Sequence, residues 1–297
     1  MNAIKKIILL GLLLSLACLI PLAKSDGAVS SITLPCGIDG MRTINEAINT
    51  IAEGGKISVI NGTWREYVRI RKPVSLISLN SSRFGVVIDG RYMNYPDSPW
   101  QIYANNIDNI VISGFTFLTT YVPPLAIGIR VENCKNLVIA NCTFEDTTHS
   151  GIELIRVSNA IIFNNNISAT EFSIIMCYCT NVTVTYNTIR NADQEINFYN
   201  SRDIIFHHNN VFRDQYYHRV SNVTCRWDDG RGQGNYWSDY LGEDLDHDGI
   251  GDSPYQIDPD DIDGREHFDI YPLMTDPHWP PPRAPVYHPL HRRTEMI

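Results

Sequence analysis

The sequence predicts an all-β chain: a single-stranded right-handed parallel β-helix, or solenoid, with an N-terminal capping helix and an acidic, calcium-binding C-terminal cap. Three observations predict it. Short β-rich segments recur behind the leaders Asn109, Asn136, Asn159, Asn181 and Asp203, at sequence intervals of 27, 23, 22 and 22. These segments alternate apolar and polar residues and show no helical period, which is the pattern of stacked short strands. An acidic loop, Asp-Leu-Asp-His-Asp-Gly-Ile-Gly-Asp at residues 244–252, follows the last repeat.

Taken in order, residues 1–25 read as a secretory signal. Lys5 and Lys6 are its positive start, residues 7–20 its apolar core, and Ala23-Lys24-Ser25 a small-x-small cleavage site. The apolar run is short for a span of about 20 residues, so no membrane span is expected in the mature chain. Thr43-Ile44-Asn45-Glu46 is a capping box, and Ile44, Ala47, Ile48 and Ile51 share one helical face. A short helix there would plug the first coil. Residues 57–60, 68–70, 74–79 and 86–88 supply early, irregular strands.

In the regular coils, Phe117, Phe144, Ile167, Ile189 and Val211 stand eight residues after each leader. A second strand repeats as Ile129/Val131, Ile152/Leu154, Ile174/Met176 and Ile196/Phe198. One such coil cannot bury its inner face alone; stacking at about 4.8 Å pairs every strand with its equivalent one turn away. Alternation sends Val182, Val184, Ile204 and Phe206 inward. Asn165, Asn187 and Asn209 fall in one column and predict an internal amide ladder. The organisation is therefore residues 1–25 signal, 26–226 β-helix, 227–275 cap and 276–297 a Pro-rich tail of extended character.

The chain of 297 residues is 43% apolar and carries a formal charge of −9; loss of Lys5, Lys6 and Lys24 with the signal takes this to −12. An acidic exported chain is a poor nucleic-acid binder. Six of the seven cysteines follow residue 25: Cys36, Cys134, Cys142, Cys177, Cys179 and Cys225. An even count in an oxidising compartment permits disulfides, and the spacing matches no zinc motif. Six sequons, at Asn61, Asn80, Asn141, Asn166, Asn181 and Asn222, reflect an Asn- and Thr-rich repeat.

In the acidic loop, Asp244, Asp246, Asp248 and Asp252 hold positions 1, 3, 5 and 9, glycine stands at 6, and the Ile250 carbonyl falls at 7. That is the ligand order of an EF-hand-type calcium loop. Position 12 is Tyr255 rather than Glu; Asp258, Asp260, Asp261 or Glu243 are candidates to replace it. Residues 228–269 hold 14 acidic and 2 basic side chains, a density that calls for a counter-ion. The expected role is structural: calcium would fix the cap over the last coil, with Trp227, Tyr236, Trp237 and Tyr240 packed beneath.

Residues 43–49, Asn61-Gly-Thr-Trp, Val87-Ile-Asp-Gly and the Asn-rich coils resemble the pectate-lyase-like β-helix superfamily. Gly-Asn-Tyr-Trp-Ser-Asp-Tyr at 234–240, the acidic loop, Pro254-Tyr255 and Tyr271-Pro-Leu-Met are similar, more narrowly, to secreted NosD-like proteins with carbohydrate-binding and sugar-hydrolase type repeats. The likeness spans residues 31–275. It implies an exported protein and a name linked to periplasmic copper delivery.

On the coils, His149, Glu171 and Asp193 form one column, three residues before Ile152, Ile174 and Ile196. Two carboxylates on adjacent coils would stand about 5 Å apart, the range of a retaining glycosidase pair. Arg130, Arg156, Arg190 and Arg213 could serve a lyase, yet the spacing places none in a column with an acidic cluster. Copper is not expected: the acidic loop is all oxygen, and alternation turns Met176 inward and Cys177 and Cys179 the other way. His207 and His208 lie beside the asparagine column. The reading is a non-catalytic secreted, periplasmic or cell-surface module that binds a polysaccharide or a surface partner. A polysaccharide hydrolase or lyase is the alternative, and a copper-delivery accessory the second. The oligomeric state is left open.

Overall fold

A computed structural model describes residues 29–34, 43–80, 85–91, 99–118, 127–145, 147, 149–168, 171–213, 218–258 and 266–276. The expected signal, Cys36, Asp260, Asp261 and the tail beyond residue 276 lie outside them.

The described strands stack into three parallel sheets of nine, seven and eight strands. Each coil contributes one strand to each sheet. One coil runs from Ile127–Glu132 in the seven-stranded sheet through Lys135–Ala140 in the nine-stranded sheet to Thr143–Glu145 in the eight-stranded sheet. The register follows the sequence period from coil to coil: Ile129 lies beside Ile152, then Ile174, then Ile196. This is a parallel β-solenoid of about seven coils. A short antiparallel pair, Tyr255–Gln256 with Phe268–Asp269, follows.

The pleat explains the core. Val182, Val184, Ile204 and Phe206 point inward and are buried, as do Ile152, Leu154, Ile174 and Met176. Each fully buried aliphatic or aromatic side chain contributes about 1.5–3 kcal/mol. Phe117 and Phe144 stack at 4.7 Å on successive coils, so identical positions also pair their rings. Phe144 then fills the space in front of Gly128, where an added Cβ would stand 2.6 Å from its ring.

The corners have their own rule. Asn109, Asn136, Asn159, Asn181 and Asp203, the leaders of the repeat, all sit in the left-handed region at φ 54–60°. Asn and Asp tolerate that conformation better than other side-chain-bearing residues. Here the amides also bond along the stack: Asn136 Nδ2 donates to Asn109 Oδ1 at 2.9 Å and Asn181 Nδ2 to Asn159 Oδ1 at 2.9 Å.

Helix α1, Ile44–Thr50, opens on the expected capping box: Glu46 N donates to Thr43 Oγ1 at 3.0 Å and Thr43 N to Glu46 Oε2 at 3.2 Å. Ile44, Ala47 and Ile48 are buried. Glu66 accepts from the free Ile44 and Asn45 amides, which adds an acceptor for the helix's first N–H groups.

One expectation needs correction. Cys177 and Cys179 do not share a face: strand Phe172–Cys177 ends at Cys177, Tyr178 turns at φ 58°, and Cys179 re-enters the core. The permitted disulfides are not formed among the described residues, where Cys134, Cys142, Cys177, Cys179 and Cys225 carry free thiols.

Candidate functional site

The asparagine column is real, and it runs further than the repeat. Asn165 Nδ2 donates to Asn187 Oδ1 at 2.9 Å, Asn187 to Asn209 at 3.0 Å, and Asn209 to Asn235 at 3.0 Å. Each Oδ1 also takes the backbone N–H of the asparagine before it. The amides therefore all point one way, and the last donor needs an acceptor that requires nothing beyond it. Asp269 is that group. Its Oδ2 accepts from Asn235 N at 2.7 Å, Asn235 Nδ2 at 3.1 Å and Trp237 Nε1 at 2.9 Å, and its Oδ1 from Tyr271 N at 3.1 Å. A carboxylate is acceptor-only, so it ends the ladder without leaving a buried donor. Burial raises its pKa to about 6, against the pull of the Trp237, Asn235 and Tyr271 donors. The Asn column itself was the signal for Asn235, but Asp269 lies outside every period of the sequence.

The cap is built on that terminus. Trp227 and Trp237 are buried, Trp237 stacks on Tyr255 at 4.6 Å, and Tyr236 and Tyr240 are half-buried beside them. Bridges join Leu273 to both Tyr236 and Ile250, which anchors the acidic loop to the last coil.

Within the loop, oxygens of Asp244, Asp246 and Asp248 lie within 4.8 Å of one another. Backbone amides hold them there: Asp248 N donates to Asp244 Oδ1 at 3.1 Å, Gly249 N to Asp244 Oδ2 at 3.0 Å, and Ile250 N to Asp248 Oδ1 at 2.8 Å. Gly249 takes φ 87°, the sharp turn expected at position 6. The bridge to Leu273 uses the carbonyls of Gly249 and Pro272 and not that of Ile250. Asp252 stands apart from the three and closes the loop, accepting from Leu245 N at 2.6 Å. Tyr255 is a core residue whose hydroxyl donates to Asp239, and Asp258 accepts from Val220 N, so neither reaches the loop. The arrangement suits a hard cation with an oxygen shell.

On the coils, His149, Glu171 and Asp193 do line up: Phe172 N donates to the His149 carbonyl and Gln194 N to the Glu171 carbonyl. The contact within the column is His149 Nδ1 to Glu171 Oε2 at 3.3 Å, and Asp193 stands exposed on the next coil. A histidine beside a carboxylate can pass a proton.

The arginine reading also changes. Arg130 does share a column with an acid: it lies beside Glu153 in register, and its guanidinium donates to Glu153 Oε2 at 3.0 Å and to Glu132 Oε1 at 2.5 Å. Tyr103 donates its hydroxyl to Glu132 at 3.2 Å and stacks on Trp100 at 4.3 Å. Further along, Tyr199 donates to Asn197 Oδ1 at 3.1 Å and Asn197 to Gln194 Oε1 at 2.9 Å. Trp100, Arg130, Glu132 and Tyr199 are half-buried on the seven-stranded sheet, while Tyr103, Glu153 and Asn197 are buried. The sequence reading missed them because the column is fixed by register and the partners differ in type from coil to coil.

The thioether and thiols of Met176, Cys177 and Cys179 do not share one face. Met176 and Cys179 are buried in the core while Cys177 faces outward. Burial pushes the thiols of Cys142 and Cys179 up to about 12 and about 11. Among the described residues no helix is long and apolar enough to cross a membrane.

A family model described as periplasmic copper-binding protein (NosD) matches residues 59–222, more than half of the chain. A search of curated proteins finds no match. Among solved structures, the chain is similar to a candidate glycosyl hydrolase from Parabacteroides merdae at 15% identity and TM-score 0.48, covering 67% of this chain and 96% of that one. It is similar to PfbA, a surface adhesin of Streptococcus pneumoniae, at 14% identity and TM-score 0.49, covering 71% of this chain and 61% of the adhesin. A rhamnogalacturonan lyase matches at 8% identity and TM-score 0.47, covering 71% and 74%.

Proposed function

The chain belongs to the NosD family, and on that footing we propose that it is an exported, non-catalytic binding module. Its ligand is a polysaccharide, or a cell-surface partner bearing one, laid along the outer face of the seven-stranded sheet. The observation that carries this is a set of ring and charged side chains on that sheet: half-buried Trp100 stacked on Tyr103, Arg130 in register with Tyr103 and held between Glu132 and Glu153, and half-buried Tyr199 two coils beyond Glu153. Sugars offer apolar C–H faces and many hydroxyls. Rings take the former, and fixed donors and acceptors take the latter. Coils stacked at about 4.8 Å hold these groups on a rigid sheet, so the face is organised before the ligand arrives.

In this reading calcium is structural. It sits among Asp244, Asp246 and Asp248, with the Ile250 carbonyl as a further ligand and Asp252 closing the loop, and holds the cap against the last coil. The signal expected at residues 1–25 would place the mature chain outside the cytoplasm, in the periplasm, at the surface or beyond.

A glycan array on the full chain tests the binding face. Binding that falls at least about tenfold, some 1.4 kcal/mol, in Trp100→Ala and Arg130→Gln supports it. Binding that neither substitution touches would sink it. A reducing-sugar and unsaturated-uronate assay on every bound glycan separates the enzyme alternative, which the His149–Glu171 contact favours. Product that disappears in Glu171→Gln would make the chain a hydrolase or lyase instead.

A further inference from the structure

We infer that His207 and His208 form a binding site for one late first-row divalent ion, such as Zn(II), Ni(II) or Cu(II), at the outer edge of the nine-stranded sheet. Neighbouring residues of a strand point to opposite faces. These two do not, because strand Arg202–His207 ends between them and His208 takes φ 54°. The left-handed corner swings the His208 ring back beside that of His207. Their Nδ1 atoms converge at 2.6 Å.

The tautomers follow from the neighbours. With the Gln233 amide oxygen 2.8 Å from His208 Nε2, that nitrogen carries the proton and donates it. His208 Nδ1 is then a lone pair aimed at His207, whose Nδ1–H donates to it. Burial and the adjacent His208 hold the His207 pKa down to about 4.

An ion bound to both Nδ1 atoms at about 2.05 Å needs them about 2.9 Å apart at a right angle and about 3.3 Å apart at a tetrahedral one. The rings must open by less than an ångström. The His207 proton moves from Nδ1 to Nε2, so each ring stays neutral and no net proton is released. Gln233 would then orient His208 as an outer partner, the usual way a ligating ring is held. Tyr186 stacks on the other side at 5.0 Å. The charged groups facing the pair are Asp228, Asp229 and Arg226. Asp229 is held ionised by the Arg231 and Gln233 amides, and Arg226 is turned to the Asp228 carbonyl. Two imidazole nitrogens favour late divalent ions over calcium. The site is independent of the binding face proposed above.

The test uses variants that copy what other coils already carry. Thr185 precedes His207 in its column, and Asn141 and Asn164 hold the same left-handed corner as His208. The double variant H207T/H208N therefore keeps the fold, checked by its melting curve. Calorimetric titration of the full chain in calcium, with Zn(II), Ni(II), Cu(II) and Cu(I) in separate runs, should show one equivalent of at least one divalent ion. The double variant should bind it at least about 30-fold more weakly and Gln233→Leu about tenfold more weakly. Asp246→Ala/Asp248→Ala should leave this equivalent unchanged. No divalent uptake by the wild type, or wild-type affinity in the folded double variant, would overturn the inference.

Discussion

Replacing Asp269 with alanine should unfasten the cap from the coils. The carboxylate is fully buried and is the last acceptor of a one-way ladder that reaches back to Cys142 N. Without it, Asn235 N, Trp237 Nε1 and Tyr271 N lose their acceptor in an interior site. Each buried donor left unpaired costs about 1–3 kcal/mol, and partial relaxation brings the total to about 3–5 kcal/mol. For a domain of this size that lowers Tm by roughly 10 °C. Loss should begin locally, since a solenoid's coils are stabilised by their neighbours and its ends open first. Thermal melts at pH 7.5, read by Trp227 and Trp237 fluorescence, together with amide exchange along the ladder, measure both effects. Protection should fall at Asn235 and Asn209 before Asn165. The sign with pH is fixed by the raised pKa. The folded state holds the proton up to about pH 6 and the unfolded chain only to about pH 3.8. The native state therefore binds more protons in that window, and this contribution to stability falls by up to about 3 kcal/mol as pH rises through it, then stays level. The same slope should be missing from Asp269→Asn. A Tm within about 2 °C of wild type in Asp269→Ala, less than about 1 kcal/mol at this size, would refute the ladder-terminus account.

Three further outcomes follow from the same geometry. Chelating calcium should lower Tm by roughly 5–10 °C from its value at a hundredfold excess over Kd, a linkage of about 2.7 kcal/mol, and Asp246→Ala/Asp248→Ala should abolish the difference; equal melts with and without chelator would exclude the ion. Gly234→Ala should rival the loss of Asp269 itself, because the new Cβ would stand 1.9 Å from Asp269 Oδ1; a melt like wild type would show that the carboxylate can move. Thr43→Ala removes one half of the capping box and should cost about 1 kcal/mol in a denaturant titration, with no change in slope; a loss above about 2 would mean that Thr43 does more than cap α1.

Much of this was legible in the chain, and the reasons are particular. The pleat has period two, so Ile174 and Met176 had to point inward once the strand was recognised. Asn165, Asn187 and Asn209 recur at the period of the coil, so they had to stack. Other residues broke no local rule and so gave no local sign. Cys179 followed Cys177 at strand spacing, but a left-handed turn at Tyr178 lay between them and reversed its face. Arg130 and Glu153 are 23 residues apart and meet only because their strands are in register. Glu195 and His218 are both buried inside the last coils, with Nδ1 and Oε2 3.3 Å apart, and the spacing does not show it.

By itself the sequence determined the solenoid, its inner faces, its amide ladder and the order of oxygens in the acidic loop, because each is a consequence of a short repeating period or a contiguous motif. Only the tertiary structure decided how the ladder ends and which side chains meet. Asp269 reaches Asn235 across 34 residues, and His207 meets His208 because a corner turns the chain back. Those contacts depend on where coils stack and how corners rotate a side chain, which no linear spacing encodes.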